Sequence, residues 1–154
     1  MELIEYFKEL NLANRVRFFD VSTATIVDAA KAVGVAENRI AKTLSFFLQD
    51  ERPILIVVAG DAKIDNAKYK AHFGVKAKMI PKELVKEKIG YDVGGVCPFL
   101  VSKDIDIYLD KSLKRFTTTF AAVGTANSAV ELSSEELELA SKSQNWIDVC
   151  KVSG

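Results

Sequence analysis

Lys42 stands in Arg39-Ile40-Ala41-Lys42-Thr43-Leu44-Ser45-Phe46, a run otherwise suited to a β-strand. Side chains alternate across a strand, so Lys42 shares a face with the apolar Ile40 and Leu44. An ammonium there needs a partner or a cavity, or it loses its proton, because burying an unpaired charge costs several kcal/mol. Two readings follow: a cation serving a site, or a snorkelling side chain with its head in water. Gly94-Gly95-Val96-Cys97-Pro98 is the second feature. Paired glycines before a proline make a constrained turn able to offer backbone N–H groups to an anion or a developing oxyanion, though ordinary turns use the same residues. The third, Gly124-Thr125-Ala126-Asn127-Ser128, is either a plain turn or a polar loop that reads hydroxyls and carbonyls. Cys97 could act as a nucleophile, but no histidine partner is in evidence and a thiol beside proline can equally be a packed small residue. His72 suits the C-terminal end of a helix, where a cation favours the dipole.

The composition narrows the chemistry. The chain has 154 residues, 21 basic and 21 acidic side chains, two cysteines and one histidine. A Ser-His-Asp or Cys-His mechanism would depend on His72 alone, and a zinc site would lack ligands, so no metal is expected. Cys97 and Cys150 have no C-x-x-C spacing and read as free thiols of a reducing compartment. Zero net charge argues against a protein that coats DNA or RNA and leaves room only for a local contact. Residues 62 to 90 nevertheless hold eight lysines against three carboxylates, read as two solvated helix faces or as a phosphate-tolerant rim. No apolar run reaches the ~18 residues of a membrane span and the start does not resemble a signal peptide, so a cytoplasmic location is expected.

The elements that must position these residues are legible from periodicity. Residues 2 to 12 read as an amphipathic helix; Ser22 or Thr23 caps a second helix ended by Gly34. Ile40–Leu48 and Pro53–Ala59 form a hairpin, the second strand central because Ile54–Val58 is apolar throughout. Asp65 caps a helix that stops at Gly74, Val75–Ile80 reads as a strand, and Pro81 opens a helix ending at Gly90. Strands follow at Ile105–Leu109, Thr117–Val123 and Ala129–Leu132, then a capping box Ser133/Glu136 and a strand at Trp146–Cys150. The expected class is α/β, one domain over 1–154, with a mixed sheet flanked by helices.

Taken as a set, Arg39 to Leu44, Val57-Val58-Ala59-Gly60-Asp61, Ile89-Gly90-Tyr91-Asp92-Val93-Gly94-Gly95-Val96-Cys97-Pro98-Phe99 and Val130-Glu131-Leu132-Ser133 resemble the YbaK/EbsC family of aminoacyl-tRNA deacylases. That family is related to the editing domain inserted in bacterial prolyl-tRNA synthetase. The resemblance implies a partly barrel-like α/β fold and a trans-editing enzyme that hydrolyses the ester of a mischarged tRNA without metal or cofactor. Prolyl-tRNA synthetase becomes an implied partner. It also implies Lys42 and Gly95 as catalytic positions, with Thr43, Gly94, Val96, Cys97, Pro98, Gly124, Thr125 and Asn127 binding substrate. Leu100 in place of a family glycine, and Ala129 in place of an acidic residue, leave alanine and cysteine equally open as the amino acid removed. An aminoacyl ester is already activated, so positioned water, N–H donors and one cation can suffice without a histidine base. The alternative is a non-catalytic module that binds a tRNA 3′-end or a nucleotide.

Overall fold

In a computed structural model, residues 2–143 and 145–152 are described. Helix α1 (Glu2–Glu9) buries Leu3 and Phe7, and strand β1 (Val16–Phe18) follows. Helix α2 (Ile26–Val33) is capped by Thr25, whose hydroxyl accepts the Asp28 N–H at 3.1 Å, and ends at Gly34 with φ +82°. The expected caps do other work: Ser22 accepts from Ala24, and Thr23 is buried against Ser128.

The hairpin is β2 (Ala41–Phe47) and β3 (Pro53–Ala59), in continuous antiparallel register from Ala41↔Ala59 to Phe47↔Pro53. Strand β5 (Asp106–Asp110) pairs parallel with β3, and β8 (Asn145–Ile147) pairs parallel with β5, giving a mixed sheet of order β2-β3-β5-β8. Ile54 to Ala59 have no exposed surface, as expected of a strand covered on both faces. A second sheet, β1-β7-β6, is antiparallel and built from β6 (Thr119–Ala121) and β7 (Ser128–Leu132). The two sheets meet at one bridge, Ile40 to Phe120. There Arg39 stacks on the Phe120 ring at 5.2 Å and binds Thr118 Oγ1 at 2.6 Å. β1 and β8 do not pair, so the sheets stay open rather than closing as a barrel.

Phe46 and Phe47 point to opposite faces of β2. Phe46 packs on Tyr69 of α3 (Asn66–Phe73), with ring centroids 5.3 Å apart. Phe47 packs with Val85 and Ile89 of α4 (Lys82–Ile89). The two lysine-bearing helices therefore cover opposite faces of the sheet, and the 62–90 lysines do not form one rim.

Two expected strands differ. Val75–Ile80 makes only the Phe46–Met79 bridge, with Phe47 N–H to the Lys78 carbonyl at 2.8 Å and Ile80 N–H to the Ser45 carbonyl at 3.1 Å. Pro81 then removes the next donor. The Trp146–Cys150 segment splits into β8 and β9 (Cys150–Val152), because the buried Asp110 carboxylate captures the Val149 N–H at 3.0 Å. β9 pairs instead with β4 (Ala62–Ile64), a strand that periodicity did not show. The capping box at Ser133 and Glu136 forms as expected, opening α5 (Ser134–Ser141).

Candidate active site

A cavity of about 110 Å³ lies where the start of α2, the first residues of β2, the 93–96 turn and the β6–β7 pair converge. Six alanines contribute to its wall, Ala24 and Ala29 from the α2 side, Ala41 from β2, and Ala121, Ala122 and Ala129 from the second sheet, beside the larger Ile26, Ile40, Val93, Val96 and Phe120. Polar groups at the wall are Thr23, Thr25, Lys42, Thr43 and Ser128. Three of these hydroxyls are committed to structure, that of Thr25 as the cap of α2. Thr23 Oγ1 accepts the Ser128 N–H at 3.1 Å and donates to the Ser128 carbonyl at 3.3 Å; Ser128 Oγ accepts the Val123 N–H at 3.0 Å and donates to the Thr125 carbonyl at 3.2 Å. These hydroxyls hold the wall and are not poised as nucleophiles.

Lys42 is half-buried on this wall. Its Nζ reaches the Gly60 carbonyl at 3.5 Å, the outer limit of a hydrogen bond, and among the described residues it has no carboxylate in ion-pair contact. Burial pushes its pKa below the ordinary 10.5, partly offset by Cys150 and Asp61. Gly60 brings the first turn of α2 close: a Cβ there would lie 3.1 Å from the Ile26 methyl and 2.0 Å from the Glu37 carbonyl oxygen. Lys42 and the first residues of α2, Thr25 and Ile26, thus line the same cavity, and both a cation and a helix N-terminus favour negative charge.

The two glycine loops come together. A Cβ on Gly95 would lie 2.6 Å from the Gly124 carbonyl carbon and 2.6 Å from the Thr125 nitrogen, so only glycine permits this approach. Gly94 sits between Ala24 and Ala126, each 3.0 Å from its absent Cβ. Of the residues expected at the site, Lys42, Thr43, Gly94 and Val96 line the cavity. Gly95, Cys97 and Pro98 are buried beneath it. The Gly95 N–H is bound to the Asp92 carbonyl at 2.8 Å, which removes it as an oxyanion donor. Gly124, Thr125 and Asn127 do not line the cavity; Thr125 Oγ1 donates to Asn127 Oδ1 at 2.8 Å, and Asn127 Nδ2 to the Phe19 carbonyl at 3.4 Å. Cys97 has no exposed surface, and burial pushes its thiol up to about 11, so the nucleophile reading does not fit. His72 is exposed at the end of α3 and meets the Phe73 ring edge-on. Among the described residues no three His, Cys, Asp or Glu side chains converge as metal ligands, and no helix is long and apolar enough to cross a membrane.

Sequence reasoning missed the alanine wall and Thr23. Alanine carries no periodic signal, and the Thr23–Ser128 bonds join positions 105 residues apart.

The family model for the aminoacyl-tRNA editing domain matches residues 20–139, which contain the whole cavity wall. The chain belongs to this family. Within the editing-domain family, YwhH of Bacillus subtilis, a protein without assigned activity, is 51% identical over 146 residues, 95% of this chain and 93% of its own. EbsC of Enterococcus faecalis, provisionally named a Cys-tRNA(Pro)/Cys-tRNA(Cys) deacylase, is 26% identical over 70% of this chain and 66% of its own. The crystal structure of a protein provisionally described as a trans-editing enzyme for prolyl-tRNA synthetase superposes with a TM-score of 0.82 at 25% identity, covering 100% of this chain and 99% of that one.

Proposed function

We propose that this editing-domain protein is a trans-acting deacylase that hydrolyses the ester of a mischarged tRNA in the cytoplasm, with alanine or cysteine on tRNA(Pro) as its first substrates. The observation that carries the reading is the half-buried Lys42, without a paired carboxylate among the described residues, on the wall of an alanine-lined cavity. A cavity of about 110 Å³ has room for a small side chain and water. A synthetase pocket discriminates one methylene by only ~1–3 kcal/mol, so a second, hydrolytic sieve with small walls supplies fidelity that binding alone lacks.

In this reading the amino-acid side chain enters against Ala121, Ala122 and Ala129, and the ester carbonyl faces Lys42. Water adds to the carbonyl carbon, and the negative charge gathering on oxygen is met by the ammonium and the α2 terminus. The C–O bond to the ribose then breaks, and the departing 3′ oxygen takes a proton, with the neighbouring ribose hydroxyl assisting the transfer. Gly95, Cys97 and Pro98 act by setting the position of Gly94 and Val96. The likeness to a protein provisionally described as a trans-editing enzyme for prolyl-tRNA synthetase supports that synthetase as the partner. A time course of ester loss tests the reading: a deacylase accelerates it with turnover, whereas a 3′-end binding module shows saturable, salt-sensitive association and leaves the ester decay at background.

A further inference from the structure

Asp61 follows Gly60, whose carbonyl is the contact of Lys42. Both oxygens of its carboxylate are taken by Arg115: Oδ1 by Nη2 at 2.6 Å and Oδ2 by Nη1 at 3.1 Å. Such a fork is the geometry in which a guanidinium best holds a carboxylate. The fork is itself anchored. Arg115 Nε donates to the Ser112 carbonyl at 2.8 Å, its guanidinium lies over the Phe116 ring at 4.7 Å, and Ser112 Oγ accepts the Ala59 N–H at 3.1 Å. Ala59 ends the strand that leads into Gly60, so fork and lysine contact are built on one piece of chain.

The titratable groups whose charge would bear on Lys42 are Asp61 and Lys63, at the turn into β4 and on it, and Cys150 on β9. Lys63 is exposed, and burial pushes the Cys150 thiol up to about 12, so it is neutral. Asp61 is therefore the one anion among them, and its hydrogen bonds from Arg115 hold it below the usual carboxylate range.

We propose that the Asp61–Arg115 fork is a positioning device: by occupying both carboxylate oxygens, Arg115 keeps Asp61 from pairing with Lys42 and so reserves the lysine head for the substrate. Neither member of the fork lines the cavity. Releasing Asp61 gives Lys42 an internal counter-ion that competes with the bound carbonyl for the lysine head.

The test compares wild type, Arg115→Met, Asp61→Asn and the double variant in two measurements. The first is the NMR titration of the Lys42 side chain, without tRNA, its resonance assigned from Lys42→Met. Arg115→Met moves the Lys42 midpoint up, and adding Asp61→Asn brings it back to the wild-type value or lower. The second, which rests on the deacylase reading, is single-turnover hydrolysis of mischarged tRNA: Arg115→Met loses about tenfold, and the double variant regains most of it. Arg115→Lys, which keeps the charge but not the fork, is titrated alongside in case the methionine variant folds poorly, and it too moves the midpoint up. A Lys42 midpoint unchanged by both Arg115 variants, or an activity loss in Arg115→Met that the double variant does not relieve, overturns the proposal. Absence of hydrolysis in wild type with the midpoint shifts intact overturns the deacylase reading alone.

Discussion

Gly95 and Gly124 lie so close that a single methyl group on Gly95 would stand 2.6 Å from the Gly124 carbonyl carbon. This contact joins two loops separated in sequence, and the cavity wall depends on it because Gly94 and Val96 are held from one side and Thr23 and Ser128 from the other. Gly95→Ala is expected to push the loops apart, costing about 1–3 kcal/mol in stability and roughly 10- to 100-fold in hydrolysis. Gly90→Ala makes the control. Gly90 has φ +101° with open space around it, so the variant loses about 1–2 kcal/mol from strain and keeps its rate per folded molecule. Chemical denaturation and single-turnover kinetics on the two variants separate the effects.

Lys42→Met is expected to lower hydrolysis by about 10²–10³-fold, the usual cost of removing one donor at an oxyanion. The same change stabilises the fold wherever Lys42 is charged in the folded state. Burial sets the folded pKa of Lys42 below its unfolded value of 10.5, so between the two values the unfolded chain binds the extra proton and wild-type stability rises with pH. Below the folded value both states are charged and the burial cost is fully present, so there removing the charge raises Tm. Activity that needs the ammonium falls as pH rises through the folded value. Thermal melts below that value, with a pH–rate profile, check both signs.

Cys97→Ser distinguishes a packed thiol from a nucleophile. The variant is expected to lose about 1–3 kcal/mol from burying a hydroxyl and to keep its rate within about threefold. Iodoacetamide at pH 8 leaves Cys97 of the native protein unlabelled, since the thiol is buried and titrates at about 11. Mass spectrometry after labelling gives the answer.

Ala129→Leu fills the cavity from the second sheet. It is expected to cut hydrolysis of the alanyl and cysteinyl esters by about 10- to 100-fold while leaving Lys42 and the loops in place, because the added carbons occupy space the substrate side chain needs. Parallel rates on the two esters show whether the larger side chain suffers first.

Lys42 was legible because an ammonium on the Ile40–Leu44 face conflicts with the local pattern, and such conflicts tend to fall at functional sites. The hairpin, the central strand and the glycine helix ends were legible because each rests on local periodicity or a left-handed glycine. What was hidden is non-local. The Gly95–Gly124 contact, the Thr23–Ser128 bonds and the Asp110 carboxylate that divides the last strand each join distant positions. β1 and β4 span three residues each, too few to show an alternation. The lysine run left two solvated helix faces and one rim both open, because a sequence does not show that α3 and α4 lie on opposite faces of a sheet.

Hydrolysis at the Lys42 cavity is measured most directly as ester loss from a panel of tRNA(Pro) charged with Ala, Cys, Ser, Thr or Pro, with correctly charged tRNAs as controls, for wild type and Lys42→Met. Multiple turnovers on the alanyl or cysteinyl ester, sparing of the prolyl ester and loss of the rate in Lys42→Met are the expected result. Ester decay at the uncatalysed rate across the panel, or an undiminished rate in Lys42→Met, would contradict it.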